Sequence, residues 1–151
     1  MGLRIYVIKL CQEKFYVGIS NNIKNRIRQH TFGYGSQWTN KYKFESLVTV
    51  KKQVSPFDED LLTKKYMLKY GIENVRGGSY SSPNLTILQL MALQNEFDTA
   101  TGKCFNCGMK LTKYHKCGKE DLKNYQEIVC YYCGKVGHRI NDCYKLKCAT
   151  M

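Results

Sequence analysis

The chain has 151 residues and carries 24 Lys and Arg against 12 Asp and Glu, a formal net charge of +12. A positive excess of this size on a small chain predicts a polyanionic partner, of which nucleic acid is the commonest. No apolar run reaches the ~18 residues of a membrane helix, and the N-terminal apolar stretch is too short for a secretory signal. We therefore expect an intracellular protein that is not secreted, has no membrane partner and keeps its cysteines reduced.

The distribution of the eight cysteines divides the chain into two parts. Residues 1–83 hold one cysteine with 14 basic and 6 acidic residues, whereas residues 103–151 hold seven cysteines with 10 basic and 4 acidic residues. The first part can bury an apolar core, but the second has few aliphatic residues and needs metal to fold. We predict a domain at residues 1–82, a linking helix at 83–100 and a zinc-binding region at 101–151.

The residue pattern of the first part predicts a small α+β domain. Residues 3–10 and 14–19 are rich in β-branched and aromatic side chains on either side of a short polar break, which is typical of a β-hairpin. A helix over about 22–31, a strand over 44–52 and a second helix over about 57–70 follow. The predicted element order is β-β-α-β-α.

The linking helix has its own start signal. Thr86 and Gln89 have the spacing of a capping box, and apolar residues follow on one helical face. Beyond it the sequence is rich in Gly, Lys and Cys. This composition predicts a loop-rich region stabilised by zinc.

The strongest motif occupies residues 130–143, which read CYYCGKVGHRINDC and have the spacing CX2CX4HX4C. Three thiolates and one imidazole make a closed tetrahedral set for a structural zinc ion. The predicted ligands are Cys130, Cys133, His138 and Cys143.

Over these 14 residues the sequence resembles the CCHC zinc knuckle of retroviral nucleocapsid type. The resemblance implies binding of single-stranded nucleic acid by stacking an exposed base on an aromatic residue. Tyr131 occupies that aromatic position, and Ile140 would form the apolar wall on the other side of the base. Lys135 and Arg139 would supply positive charge for the phosphates.

A second, degenerate knuckle is predicted at residues 104–117, where Phe105 stands in the stacking position. Its candidate zinc ligands are Cys104, Cys107, His115 and Cys117. One alternative is a zinc ribbon that joins the CxxC pairs of the two motifs, although it would leave the last two ligands of the 130–143 motif unused. The other alternative is a module without metal. One or two zinc ions per chain are therefore expected.

Two tyrosines and two cations form a further pattern in the first part. Tyr6 and Tyr16 lie near the centres of the two predicted hairpin strands, and Arg26 and His30 follow on the next helix at i, i+4, where both can converge on one anion. The segments RIY and YVG, followed by Arg-xxx-His, resemble the GIY-YIG nuclease family over residues 1 to about 80.

The resemblance to this family implies phosphodiester hydrolysis assisted by Mg²⁺ or Mn²⁺. In the family the tyrosines and His activate water and position the phosphate, the Arg neutralises the phosphate, a helix-borne Glu holds the metal, and a later Asn supports the site. Thr63 stands at the expected Glu position here, so Glu59, one turn earlier on the same helix stripe, is the candidate ligand. The alternative role of Glu59 is interaction with the helix dipole. Asn74 follows at the family's distance.

A nuclease-like domain joined to knuckles also resembles proteins encoded by large DNA viruses, which would place the chain in the nucleus or cytoplasm of a host cell. The sequence thus predicts a metal-dependent endonuclease-like protein whose knuckles bind single-stranded regions of DNA or RNA. The alternative is a catalytically inactive nucleic-acid-binding protein, because Thr63 replaces the expected metal ligand.

Overall fold

The computed structural model describes residues 2–104, 106–113, 115, 117 and 128–149. Its strands and helices are, in chain order, β1 (Arg4–Leu10), β2 (Lys14–Ser20), α1 (Ile23–Thr31), α2 (Gln37–Lys41), β3 (Phe44–Lys52), α3 (Asp58–Tyr70), β4 (Val75–Gly77), α4 (Ile87–Ala100) and α5 (Tyr144–Ala149). None of the helices in these described ranges is long and apolar enough to cross a membrane.

The chain forms two compact units. Unit 1 consists of Met1–Tyr70 and Asn74–Leu85, and unit 2 consists of Gly71–Glu73 and Thr86–Met151. The chain therefore leaves unit 1 after α3, contributes three residues to unit 2, and returns to unit 1 for β4.

Unit 1 is built on a four-stranded sheet with the order β3-β1-β2-β4. The hairpin of β1 and β2 is antiparallel and pairs Tyr6 with Gly18 and Ile8 with Tyr16. It turns through Gln12 and Glu13, whose φ angles of 60° and 56° lie in the left-handed region that tight hairpin turns use to match the right-handed twist of their strands. The short β4 runs parallel to β2 at the edge of the sheet.

One face of the sheet packs against α1 and α2. Because side chains alternate along a strand, Tyr6, Ile8 and Tyr16 reach the same face, where they form a buried cluster with Trp38 of α2. The partly buried Ile27 of α1 packs against this cluster. Both tyrosines of the predicted site thus lie beneath α1.

The opposite face packs against α3. Phe15, the neighbour of Tyr16 on β2, stacks on Tyr70 with ring centroids 4.4 Å apart and contacts Tyr66 at 5.7 Å. Leu62 and Met67 of the same helix are buried. The sheet is therefore an internal layer with helices on both faces, which is the α+β arrangement predicted from the sequence.

Two elements of unit 1 differ from the predicted β-β-α-β-α order. The five residues of α2 are too few for a helical period to be visible, so the predicted order has no element between the helix at 22–31 and the strand at 44–52. The three residues of β4 have no counterpart in the predicted order either. Their strand pairing is long-range and parallel, and local propensity carries no signal for it.

Unit 2 begins with α4, whose capping box is the predicted one. The Thr86 hydroxyl accepts from the backbone N–H of Gln89, and the Gln89 side chain accepts from that of Thr86. Leu90, Leu93 and Phe97 are buried along the helix. Two cysteine-rich loops follow, and the one-turn 3₁₀ helix Ile140–Asp142 precedes α5.

Candidate nuclease site and zinc centres

Tyr6, Arg26 and His30 meet at one point between β1 and α1. The Tyr6 hydroxyl lies 2.7 Å from Nε2 of His30, and Nε of Arg26 donates to the Tyr6 oxygen at 3.3 Å. Burial raises the pKa of Tyr16, whereas the nearby Arg26 charge and the Ser36 side chain, just before α2, lower it. Tyr6, Tyr16 and His30 therefore lie around the Arg26 guanidinium, as their spacing in the sequence predicted.

Thr39 on α2 determines which nitrogen of His30 carries the proton. Its hydroxyl lies 2.9 Å from Nδ1 of His30 and donates its only hydrogen to the Ser36 carbonyl oxygen at 3.1 Å. On this pattern we assign the proton of the imidazole to Nδ1, which leaves Nε2 to accept the hydrogen of Tyr6. The result is a directed chain in which Tyr6 donates to His30 and His30 donates to Thr39.

Burial sets the protonation states of this chain. Burial, together with the nearby Arg26 charge, lowers the pKa of His30 to about 4, so the imidazole is neutral at pH 7. Burial also raises the pKa of Tyr6 to about 12, against the opposing hydrogen bond from Arg26. At neutral pH the site holds a protonated phenol beside a neutral base and a fixed cation.

Two glycines allow the backbone to approach these side chains closely. A Cβ at Gly18 would lie 2.6 Å from Cζ of Tyr6, and a Cβ at Gly35 would overlap Nδ1 of His30. Gly18 is the last residue of the YVG segment, so its role in the motif is to leave space for the tyrosine of the neighbouring strand.

Glu59 lies in the first turn of α3 and belongs electrostatically to the same cluster. Its charge raises the pKa of both Tyr6 and Tyr16, and burial raises the pKa of Glu59 itself against a hydrogen bond from the Gly78 backbone. Thr63 is fully buried, and its hydroxyl donates to the Glu59 carbonyl oxygen at 2.8 Å. Of these two positions, Glu59 carries the carboxylate, and the Thr63 hydroxyl is occupied by the backbone of its own helix.

Asn74, also predicted as a site residue, lies at the C-terminal end of α3. Its side-chain amide donates to the Tyr70 carbonyl at 2.7 Å and accepts from Lys14 at 2.7 Å. Tyr70 ends α3 and Glu59 lies in its first turn, which separates them by about 16 Å along the helix axis. The structure therefore places Asn74 apart from the cluster, because it caps the far end of α3.

The predicted ligands of the knuckle at residues 130–143 converge. The Cys130, Cys133 and Cys143 sulfurs and a His138 nitrogen all lie within 4.8 Å of one another. Cys133 Sγ and His138 Nε2 are 3.4 Å apart. A tetrahedral zinc site with bonds of about 2.0–2.3 Å requires ligand separations of about 3.5–3.8 Å, so the four groups fit zinc.

The second set of ligands converges in the same way. Cys104, Cys107, His115 and Cys117 offer ligand atoms within 4.8 Å of one another, with Cys107 Sγ 3.6 Å from Nε2 of His115. Among the described residues these are the two separate His/Cys groups that can hold a metal. The ribbon that would join the CxxC pairs of both motifs is therefore wrong.

The two motifs also share one backbone turn. The N–H of the first cysteine donates to the residue five positions later, at 2.7 Å for Cys104 to Met109 and 2.9 Å for Cys130 to Lys135. A glycine four positions after that cysteine has φ of 76° in the first motif and 74° in the second. The upstream motif thus shares the turn that holds the first two cysteines of the knuckle, despite its longer spacing to the histidine.

The two residues predicted to stack on a base lie in the interior of unit 2. Tyr131 is 5% exposed, its ring meets Phe97 edge to face at 5.4 Å, and its hydroxyl bonds to Thr101 at 3.0 Å. Ile140 is 2% exposed. This differs from the prediction because α4 occupies the face of the knuckle that a base would need.

Of the two side chains predicted to contact phosphate, one is exposed and the other pairs with a buried carboxylate. Lys135 is exposed. Arg139 instead donates to the buried carboxylate of Asp98 at 2.7 Å and to the Cys104 carbonyl at 3.4 Å, so it joins both knuckles to α4. The predicted stacking residue Phe105 lies outside the described residues.

Sequence comparison agrees with this architecture. Residues 4–67 match the profile of the GIY-YIG catalytic domain, and residues 128–145 match that of the zinc knuckle. No curated protein and no solved structure gives a significant match to the chain. The chain therefore carries a GIY-YIG domain followed by a CCHC zinc knuckle, which together define a nucleic-acid-binding protein with structural zinc.

Ser36 and Thr39 were not among the predicted site residues. Thr39 contacts His30, and the Ser36 side chain lies near Tyr16. Ser36 caps α2 by accepting from the backbone N–H of Thr39. A serine three residues before a threonine, after two glycines, is a helix-start signal that could have been found. Their contacts with β2 and α1 could not, because these depend on how the elements pack.

Proposed function

We propose that the protein is a metal-dependent endonuclease whose active site is formed by Tyr6, Tyr16, Arg26, His30 and Glu59. The observation that carries the proposal is the directed hydrogen-bond chain from Tyr6 to a neutral His30 beside the Arg26 cation. A phenol held beside a fixed cation can position a water molecule and oppose the negative charge that develops on a phosphodiester.

Each residue of the site has its own role in the proposed hydrolysis. Tyr6 keeps its proton, because burial raises its pKa to about 12 and lowers that of His30 to about 4. Its oxygen, held by His30 and Arg26, positions the attacking water, and a divalent cation at the site would lower the pKa of that water so that its proton is lost to solvent. Arg26 also opposes the negative charge that develops on the phosphate.

Glu59 is the group that would hold the divalent cation. Mg²⁺ is commonly bound by one or two carboxylates together with substrate phosphate oxygens, and Glu59 provides one half-buried carboxylate near both tyrosines. A cation bound there would stabilise charge on the scissile phosphate and the leaving oxygen.

The test is a cleavage assay with the zinc-loaded full chain. Single-stranded, duplex and flapped DNA, and RNA, are incubated with Mg²⁺ or Mn²⁺ beside Glu59→Gln, Arg26→Ala and Tyr6→Phe. We expect divalent-dependent cleavage of at least one substrate by the wild type and a loss of about 10²-fold or more in each variant. Binding of the substrate should survive in Glu59→Gln.

The matched control is Glu45→Gln, which removes a carboxylate from β3 that faces Lys9 at 3.8 Å. This variant should cleave like the wild type. If the wild type binds nucleic acid but cleaves no substrate with either metal, the nuclease proposal is wrong and the protein is a binding protein built on a GIY-YIG domain.

A further inference from the structure

We propose that residues 32–36, here called the aromatic loop, form a docking surface for unpaired nucleotides beside the nuclease site. The loop joins α1 to α2 and carries two aromatic side chains, Phe32 and Tyr34, which are 69% and 80% exposed. The inference deepens the proposed function, since it names unpaired strands as the substrate class of that site.

The backbone of the aromatic loop is fixed to the residues of the site. The Tyr34 N–H donates to the Gln29 carbonyl at 2.8 Å, and the Gln29 side chain accepts from Nη1 of Arg26 at 2.8 Å. Gly35 lies directly against His30, and the Ser36 side chain accepts from the backbone N–H of Thr39, whose hydroxyl contacts His30. The loop is therefore one wall of the site, and its aromatic rings project from that wall into solvent.

The charge around the loop favours a nucleic-acid strand over an apolar partner. Residues 14–44 contain six Lys and Arg and no Asp or Glu. Four of these cations are exposed on α1, on α2 and beside α2, namely Lys24, Arg28, Lys41 and Lys43. Exposed aromatic rings within a purely basic segment are the combination by which proteins hold single strands, with cations on the phosphates and rings on the bases.

The burial of the predicted stacking residues in the knuckle also favours the aromatic loop as the place where bases stack. Tyr131 and Ile140, the pair that would sandwich a base there, are covered by α4. Stacking on an unpaired base needs a ring that is open to solvent, and in unit 1 the aromatic loop provides two such rings. A base inside a duplex is already stacked on its neighbours, so the loop selects single-stranded or unpaired regions.

The test compares variants of the full, zinc-loaded chain without added divalent metal, so that binding is measured apart from cleavage. The probe is a short oligonucleotide containing 2-aminopurine, prepared as DNA and as RNA, single-stranded and in duplex. Tyr34→Ala should weaken single-strand binding by about 5- to 150-fold, lose the quenching of 2-aminopurine and leave duplex affinity unchanged. Tyr34→Phe should behave like the wild type.

Phe57→Ala is the matched control, because Phe57 is 76% exposed in the same unit but is followed by three acidic residues. It should leave single-strand binding unchanged. Wild-type single-strand affinity in Tyr34→Ala, an equal loss on duplex, or an equal loss in Phe57→Ala would each overturn the proposal. A loss specific to Tyr34 in a protein that cleaves nothing would support the docking surface and refute only the nuclease function.

Discussion

The Tyr6 hydroxyl donates to Nε2 of His30 at 2.7 Å, and the opposite nitrogen of the same ring is held by Thr39 at 2.9 Å. The direction of the first bond depends on the second. A histidine protonated on Nδ1 accepts from Tyr6, whereas the other tautomer would present an N–H to the phenol and could not accept its hydrogen bond.

Replacing Thr39 tests this dependence. Thr39→Val removes the acceptor for Nδ1 at nearly constant volume, so we expect about 1–3 kcal/mol lower stability and a strong loss of any cleavage activity. Thr39→Ser keeps the hydroxyl and should retain most of both. Denaturant unfolding and the cleavage assay measure the two effects, and equal behaviour of Val and Ser variants would contradict the role of the hydroxyl.

The buried neutral His30 makes stability dependent on pH. Its pKa is about 4 in the folded chain against an ordinary 6.5, so below pH 6.5 the unfolded chain binds a proton that the folded chain does not. The free energy of unfolding should therefore fall as the pH decreases from 6.5 to 4, by up to about 3 kcal/mol from this group.

Denaturation of the wild type and of His30→Gln across this range isolates the contribution. Zinc ligands also titrate in acid, but they do so in both proteins, so the difference between the two curves reports His30 alone. The variant should show the shallower dependence on pH. Parallel curves would mean that the folded protein protonates this residue normally.

Gly18 sets the distance between β2 and the Tyr6 ring. Gly18→Ala places a methyl group 2.6 Å from Cζ of Tyr6, in a core where the ring has no room to move. We expect a stability loss of about 1–3 kcal/mol and displacement of the Tyr6 hydroxyl from His30. Gly2→Ala is the control, because nothing lies within 4 Å of its added Cβ, and thermal unfolding should separate the two variants.

Two assembled ligand sets predict two zinc ions per chain. Cys107→Ser and Cys133→Ser should each remove one equivalent, as measured by elemental analysis after metal-replete purification. A wild-type content of one equivalent that persists in Cys107→Ser would show that the upstream knuckle does not bind metal. Cys148→Ser, outside both sets, is the control and should keep two.

The ion pair between Arg139 and Asp98 connects both knuckles to α4. The Asp98 carboxylate is nearly inaccessible and also accepts from Gln94 at 3.1 Å, so Asp98→Asn leaves the guanidinium without its charged partner. We expect a loss of about 2–3 kcal/mol in zinc-loaded protein. Asp142→Asn, at an exposed position, should have little effect, and equal losses would assign the change to general charge.

The sequence predicted local features of this protein better than those formed by packing. The hairpin, α1 and the capping box at Thr86 follow from short-range patterns, and the spacing of Tyr6, Tyr16, Arg26 and His30 sufficed to group the site. The covering of Tyr131 could not be predicted, because a knuckle motif carries no information about which helix packs on it. Asn74 was assigned to the site from the family's spacing alone, and its two observed partners, Lys14 and the Tyr70 carbonyl, lie outside the cluster.

Residues 71–73 limit where this chain can be divided for protein engineering. The N–H groups of Ile72 and Glu73 donate to the carbonyls of Tyr131 and Tyr132 at 2.7 and 2.8 Å, and Lys145 pairs with Glu73 at 2.7 Å. A fragment that stops at Leu85 would retain this tripeptide while deleting every one of those partners. The GIY-YIG domain therefore cannot be isolated by truncating the chain at one position. An exchange of the knuckle region between proteins would have to include residues 71–73.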